Sequence, residues 1–344
     1  MNGNNNFTLC PIADSYKRIL LPLTYSLVFV LGLTLNGALL WVVCFRTRTW
    51  SCSVIYLTNL AVADLLYVLS LPLLIVSYAM DDVWPFGDII CKAVRFFFCT
   101  NLHCSMMFLM CISVHRFLGV CYPITALRFR TKNLAVLTSG SVWVLVMLEI
   151  SPTLVFAHTG FINNMTVCYE MTNPGQLYTY FPYDMFLDVV GFLVPFMIIL
   201  ICYCSMMRVL YRAGRDNSQV GTENLNKSIR TILAVCLMFV LCFVPYHIAR
   251  IVCLFIRVYV SSDCRVINLV MIGYKIWKPL VSFNSCCPLL FTQLITISTL
   301  LRAMQTKKTQ KKPQKKLTQD FTLTVKGMEN IHVITPNSTF KIQT

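Results

Sequence analysis

The chain has 344 residues, of which 57% are hydrophobic and only 12% charged, with a mean hydropathy of +0.67 and a formal net charge of +15. Soluble domains carry about a quarter charged residues, so this composition excludes a soluble enzyme, a disordered chain and a small disulfide scaffold. The positive surplus does not point to nucleic acid. Much of it sits in one tail, where Lys307, Lys308, Lys311, Lys312, Lys315 and Lys316 follow the last apolar block and suit anionic membrane lipid.

Taken in chain order, seven apolar blocks stand out, near residues 20–45, 54–79, 92–120, 134–157, 183–210, 229–256 and 266–300. Each holds the ~20 residues that a helix needs to cross a ~30 Å hydrocarbon layer, and only a helix satisfies its own backbone there. The predicted fold is an all-α membrane protein, a seven-transmembrane helix bundle over 20–300. A segment 1–19 precedes it and a basic tail 301–344 follows. The first block is too long for a cleaved signal peptide and lacks a small-residue cleavage site. Lys and Arg set the orientation. Loops holding Arg46 and Arg48, then Arg128, Arg130 and Lys132, then Arg208, Arg212, Arg215, Lys227 and Arg230 lie on one side with the basic tail. That side is predicted to be cytoplasmic. The N-terminus and the sequons at Asn6 and Asn164 then face outward, where glycosylation occurs.

Many of the 17 cysteines fall inside apolar blocks as small hydrophobes. Cys10, Cys91, Cys168 and Cys264 fall on the oxidising side and admit three pairings. The favoured set joins Cys91 to Cys168, which would hold the loop between helices four and five over the mouth of the bundle, and Cys10 to Cys264.

Charges inside a bilayer are costly and so suggest function. Asp64 lies mid-helix in the second block and Arg116 at the inner end of the third. Proline interrupts five blocks, at Pro72, Pro152, Pro195, Pro245 and Pro288, each a place for a bend. Toward the outer end, Arg95 stands one turn inside Cys91. His247 and Arg250 share a face of helix six, as Lys275 and Lys278 share one of helix seven. No phosphate-cradling glycine loop, nucleophile elbow or zinc spacing is visible, so neither an enzyme nor a cofactor is expected. A transporter or channel is the alternative class. It would need a continuous polar path, whereas the intramembrane charges sit at two ends with an apolar middle.

Jointly these features resemble the rhodopsin-like G-protein-coupled receptors over nearly the whole chain. The matching residues are Asn36, the stretch Asn59 to Asp64, the Cys91–Cys168 pair, Arg116, Trp143, Pro195 and Pro245. The outer half is similar to the metabotropic purine/pyrimidine nucleotide receptors, through Trp84-Pro85-Phe86-Gly87, Arg95-Phe96-Phe97-Phe98, Asn101-Leu102-His103, the run from Phe243 to Arg250, and Tyr274-Lys275. It is most similar to the uridine-nucleotide members. The stretches from Phe45 to Trp50 and from Asp263 to Asn268 resemble the triphosphate-preferring type, and that from Thr166 to Glu170 the diphosphate type.

The resemblance implies that helices three, six and seven turn their cations inward around one cavity. Arg95, His247, Arg250, Lys275 and Lys278 would hold phosphates, with Phe98, Tyr246 and Tyr274 flanking base and sugar. With fewer acids nearby, such a set asks for a polyanion. A small dicarboxylate is the rival ligand. The resemblance also implies an inner crevice at Arg116 for a heterotrimeric G protein, of the Gq class acting through phospholipase C and calcium release. Arrestin and a second receptor copy are further implied partners.

Two stretches depart from the family pattern. His115 replaces the usual acid before Arg116, and Phe117 replaces a Tyr. Helix seven reads Asn284-Ser285-Cys286-Cys287-Pro288-Leu289-Leu290-Phe291, one residue short and without the family's acid. A sodium site of Asp64, Ser105 and Asn284 thereby loses a polar partner. Cys99 and Lys278 stand where close relatives carry Tyr and Arg.

Overall fold

The computed structural model describes residues 17–47, 50–162, 165–215, 239–259 and 264–286. It contains seven helices long and apolar enough to cross a membrane: α1 (Arg18–Phe45), α2 (Cys52–Ala79), α3 (Gly87–Cys121), α4 (Lys132–Phe156), α5 (Leu177–Arg212), α6 (Val240–Tyr259) and α7 (Arg265–Ser285). A hairpin of β1 (Thr159–Ile162) and β2 (Met165–Cys168) lies between α4 and α5, paired in register Thr159 to Cys168. The Cys91–Cys168 disulfide ties this hairpin to α3, and the Trp84 N–H adds a bond to the Thr166 carbonyl at 2.7 Å. Cys10, Asn6, Asn164 and the tail 301–344 lie outside the described residues, and with them the Cys10–Cys264 pairing and both sequons.

Proline shapes the helices where the sequence places it. Pro72 cannot donate to the Val68 carbonyl, and α2 bends there into Cys52–Val68 and Leu71–Ala79. Pro195 follows a π-helical turn at Val189–Leu193, and Pro245 follows another at Phe239–Phe243. Such wide turns absorb the missing i→i−4 bond by letting one extra residue bulge.

Two helices start earlier than their apolar runs. α3 begins at Gly87, whose φ of +79° a residue with a side chain rarely adopts. Asp88 follows in its first turn, bonded to Lys92 at 2.9 Å and to the Thr159 N–H at 2.8 Å. α5 begins at Leu177, so Tyr178 and Tyr180, ahead of the apolar block, are helical residues rather than loop. Their hydroxyls weaken the hydropathy signal although Tyr180 is buried.

Polar bonds join the helices at mid-depth, where each replaces water that lipid cannot supply. Asn36 donates to the Ser285 carbonyl at 2.8 Å, Trp143 to Asn59 at 2.9 Å, and Asn101 to Asp64 at 2.6 Å. Glu149 of α4, which the sequence reading passed over, faces His103 of α3 at 3.4 Å. Gly191 sits against that pair, and a Cβ there would collide with the His103 ring. Gly191→Ala is therefore expected to cost about 1–3 kcal/mol of stability by overpacking. Gly140→Ala, which lies inside α4 and would meet nothing within 4 Å, serves as the control in thermal unfolding of detergent-purified protein and should show no loss, with a gain of up to about 1 kcal/mol from helix propensity.

Candidate ligand-binding site

At the hairpin end of the bundle, α3, α6 and α7 bring the sequence-predicted residues together. Arg95 is 6% exposed, Arg250 4%, Lys278 2% and His247 2%, so none of the four reaches out to lipid. Phe98, Tyr246, Tyr274 and Lys275 are buried with them. The rings form a continuous wall. Phe98 meets Tyr246 at 6.1 Å between centroids, Tyr246 meets Tyr274 at 6.0 Å, and the Lys278 ammonium lies 5.8 Å over Phe98.

The charge balance differs from the sequence reading, because three acids enter the vestibule. Arg250 pairs with Asp184 and bonds the Tyr180 hydroxyl at 3.0 Å. His247 bonds Asp188 at 2.6 Å while its ring stacks on Phe192 at 3.9 Å. Lys278 bonds Glu170 at 3.1 Å. Asp184 and Asp188 stand four residues apart on one face of α5, a carboxylate pair that helical spacing alone could have flagged. Glu170 follows Cys168 by two residues, so the disulfide sets it over α7. Burial alone would raise the Glu170 pKa, but Lys278, Lys275 and Arg95 together hold it well below the ordinary carboxylate range. Its ionic contacts therefore persist through ordinary acidification and fail only below that range.

Even so, pairing is incomplete. Arg95 donates one bond, to the Cys168 carbonyl at 3.2 Å. Arg95 Nε, Arg250 Nε, His247 Nε2 and the Tyr25 hydroxyl are buried without a hydrogen-bond partner among the described residues. Buried polar atoms are rarely left so, and one oxygen of each of Glu170, Asp184 and Asp188 is likewise without a partner among the described residues.

Toward the opposite end, His115 takes the place of the expected acid in another way. Its Nε2 accepts from Arg130 Nε at 3.0 Å, and Nδ1 lies 3.4 Å from the Ser53 hydroxyl. An arginine can only donate, so Nε2 is unprotonated and Nδ1 carries the hydrogen. The histidine thus clasps the segment after α3 through Arg130. Midway, Asp64 gives one oxygen to Asn101, while its other oxygen, the Ser105 hydroxyl and both polar atoms of Asn284 are buried without partners among the described residues. No group of three His, Cys, Asp or Glu side chains able to hold a metal gathers among the described residues.

The profile of the 7 transmembrane receptor (rhodopsin family) matches residues 35–291. Among curated proteins, the chain is 42% identical to purinoceptor 3 of Gallus gallus over 284 residues, covering 82% of this chain and 87% of that one. It is 43% identical to purinoceptor 6 of Rattus norvegicus over 286 residues, 83% and 87% of the two chains. It is also 43% identical to purinoceptor 4 of Mus musculus over 283 residues, 80% and 76% of the two.

Proposed function

The chain belongs to the rhodopsin family of seven-transmembrane receptors, and from that membership we propose that it is a receptor for extracellular nucleotides acting through a heterotrimeric G protein. It is a multi-pass plasma-membrane receptor and not an enzyme. The observation that carries the ligand is the buried cation set of Arg95, Arg250, Lys275 and Lys278, walled by Phe98, Tyr246 and Tyr274. Guanidinium groups fork onto phosphate oxygens and lysines act as point charges. The similarity to three purinoceptors supports the same ligand class.

In this reading the hairpin end faces outward and the Arg116 end meets the G protein, of the Gq class. The bundle is 20–300, with 1–19 outside and 301–344 inside. Glu170 acts as a resident anion on Lys278 that the nucleotide must displace. The ligand binds the state in which α6 and α7 close on it, and α6 yields at its wide turn before Pro245. One carboxylate and neutral oxygens at Asp64, Ser105 and Asn284 suit a hard monovalent cation, so these residues remain the proposed sodium site. Uridine nucleotides are the proposed agonists.

Calcium release in transfected cells challenged with UDP, UTP, ADP, ATP and succinate tests the reading. A response to a uridine nucleotide is expected. A response to succinate alone would replace the nucleotide by a dicarboxylate, and an ion current without G-protein involvement would remove the receptor mechanism. Glu170→Gln is expected to lower the UDP concentration for half-maximal response about tenfold, because one charge-assisted bond no longer has to be broken. A raised concentration would mean that Glu170 contacts the ligand instead of competing with it.

A further inference from the structure

The residues predicted for the ligand lie on α3, α6 and α7, yet a stacked pair of side chains from α1 and α2 adjoins Glu170, the acid that bonds Lys278. Tyr25 is fully buried, and its ring stacks on Tyr78 with centroids 5.6 Å apart and planes 6° from parallel. The Tyr78 hydroxyl donates to Glu170 Oε1 at 3.1 Å, the oxygen that also takes Lys278. The stacked Tyr25 hydroxyl is buried without a hydrogen-bond partner among the described residues. A phenylalanine would fill the same stacked position, yet the chain keeps a buried hydroxyl here, on a ring stacked against the one that bonds Glu170.

We propose that Tyr25 and Tyr78 complete the anion site from α1 and α2, donating their hydroxyls to the terminal phosphate that displaces Glu170. This rests on the nucleotide reading and adds the group it recognises. With Glu170 in place, Lys278 and the Tyr78 hydroxyl both donate to its Oε1, while Glu170 Oε2, Arg95 Nε and the Tyr25 hydroxyl are buried without a partner among the described residues. The tethered carboxylate thus leaves donors unused. A free terminal phosphate brings three acceptor oxygens, enough to engage Lys278, Arg95 and both phenols together.

The test uses Tyr25→Phe, which keeps the stacked ring and removes one oxygen. UDP-evoked calcium release should need about tenfold more ligand, the usual effect of losing a bond to a charged group, at unchanged surface receptor by antibody labelling. In parallel, inorganic tripolyphosphate should raise the unfolding temperature of the purified wild-type receptor and raise that of Tyr25→Phe by much less. Tyr78→Phe should behave likewise toward tripolyphosphate. If tripolyphosphate stabilises neither protein, or both equally, the inference is overturned. If UDP activates wild type and Tyr25→Phe alike, the inference fails while the nucleotide reading stands. If tripolyphosphate stabilises in a Tyr25-dependent way but no nucleotide activates, the anion site stands and the nucleotide reading fails.

Discussion

Arg250→Ala is expected to abolish the calcium response to UDP and to lower the amount of receptor at the cell surface. The two losses have separate causes. Arg250 is buried against Asp184, itself fully buried, so truncating the arginine strands a carboxylate in the bundle. Removing one partner of a buried pair costs about 3–5 kcal/mol, enough to reduce folded protein. The response is lost because the α6 cation that would bind phosphate is gone. The double variant Arg250→Gln with Asp184→Asn separates these effects, since it removes both charges and keeps a hydrogen-bonding pair of similar shape. Surface labelling should recover toward wild type while the UDP response stays absent. Recovery of the response as well would show that Arg250 serves only to neutralise Asp184, and would remove α6 from the anion site.

The second large effect is at the disulfide. Cys168→Ser opens a link between residues 77 apart in sequence, which a chain-entropy treatment values at about 4 kcal/mol. The same cysteine carries the carbonyl that Arg95 bonds, and it lies two residues before Glu170. Loss of the bridge therefore frees the hairpin and undoes the placement of both Arg95 and Glu170. Surface receptor should fall severalfold, and the receptor that remains should need far more UDP. Measuring UDP response per surface receptor separates the two. A variant that reaches the surface poorly but responds with wild-type sensitivity would mean that the hairpin stabilises the bundle without shaping the site.

Much of this protein was legible one residue at a time. Seven runs of apolar residues have one stable arrangement in a bilayer, because helices alone satisfy their own peptide groups there, and seven helices are present. The helical repeat placed His247 beside Arg250 and Lys275 near Lys278, since side chains three apart share a face. Proline positions marked α2, α5 and α6 as interrupted, because the ring removes a donor wherever it stands.

What the tertiary structure alone decided is which opposite charges meet. Asp184 and Asp188 face Arg250 and His247 across 66 and 59 residues of chain, and Glu170 faces Lys278 across 108. No local period encodes such distances. Asp184 and Asp188 lie inside an apolar block, where their spacing gives their shared face but not the partners they meet, and Glu170 stands just past a strand. Tyr25 and Tyr78 were hidden for a different reason, since a tyrosine in an apolar helix reads as one more ring. Only the folded bundle shows that one of these hydroxyls donates to Glu170 and the other has no partner among the described residues, because a phenol's value depends on what stands within about 3 Å of its oxygen.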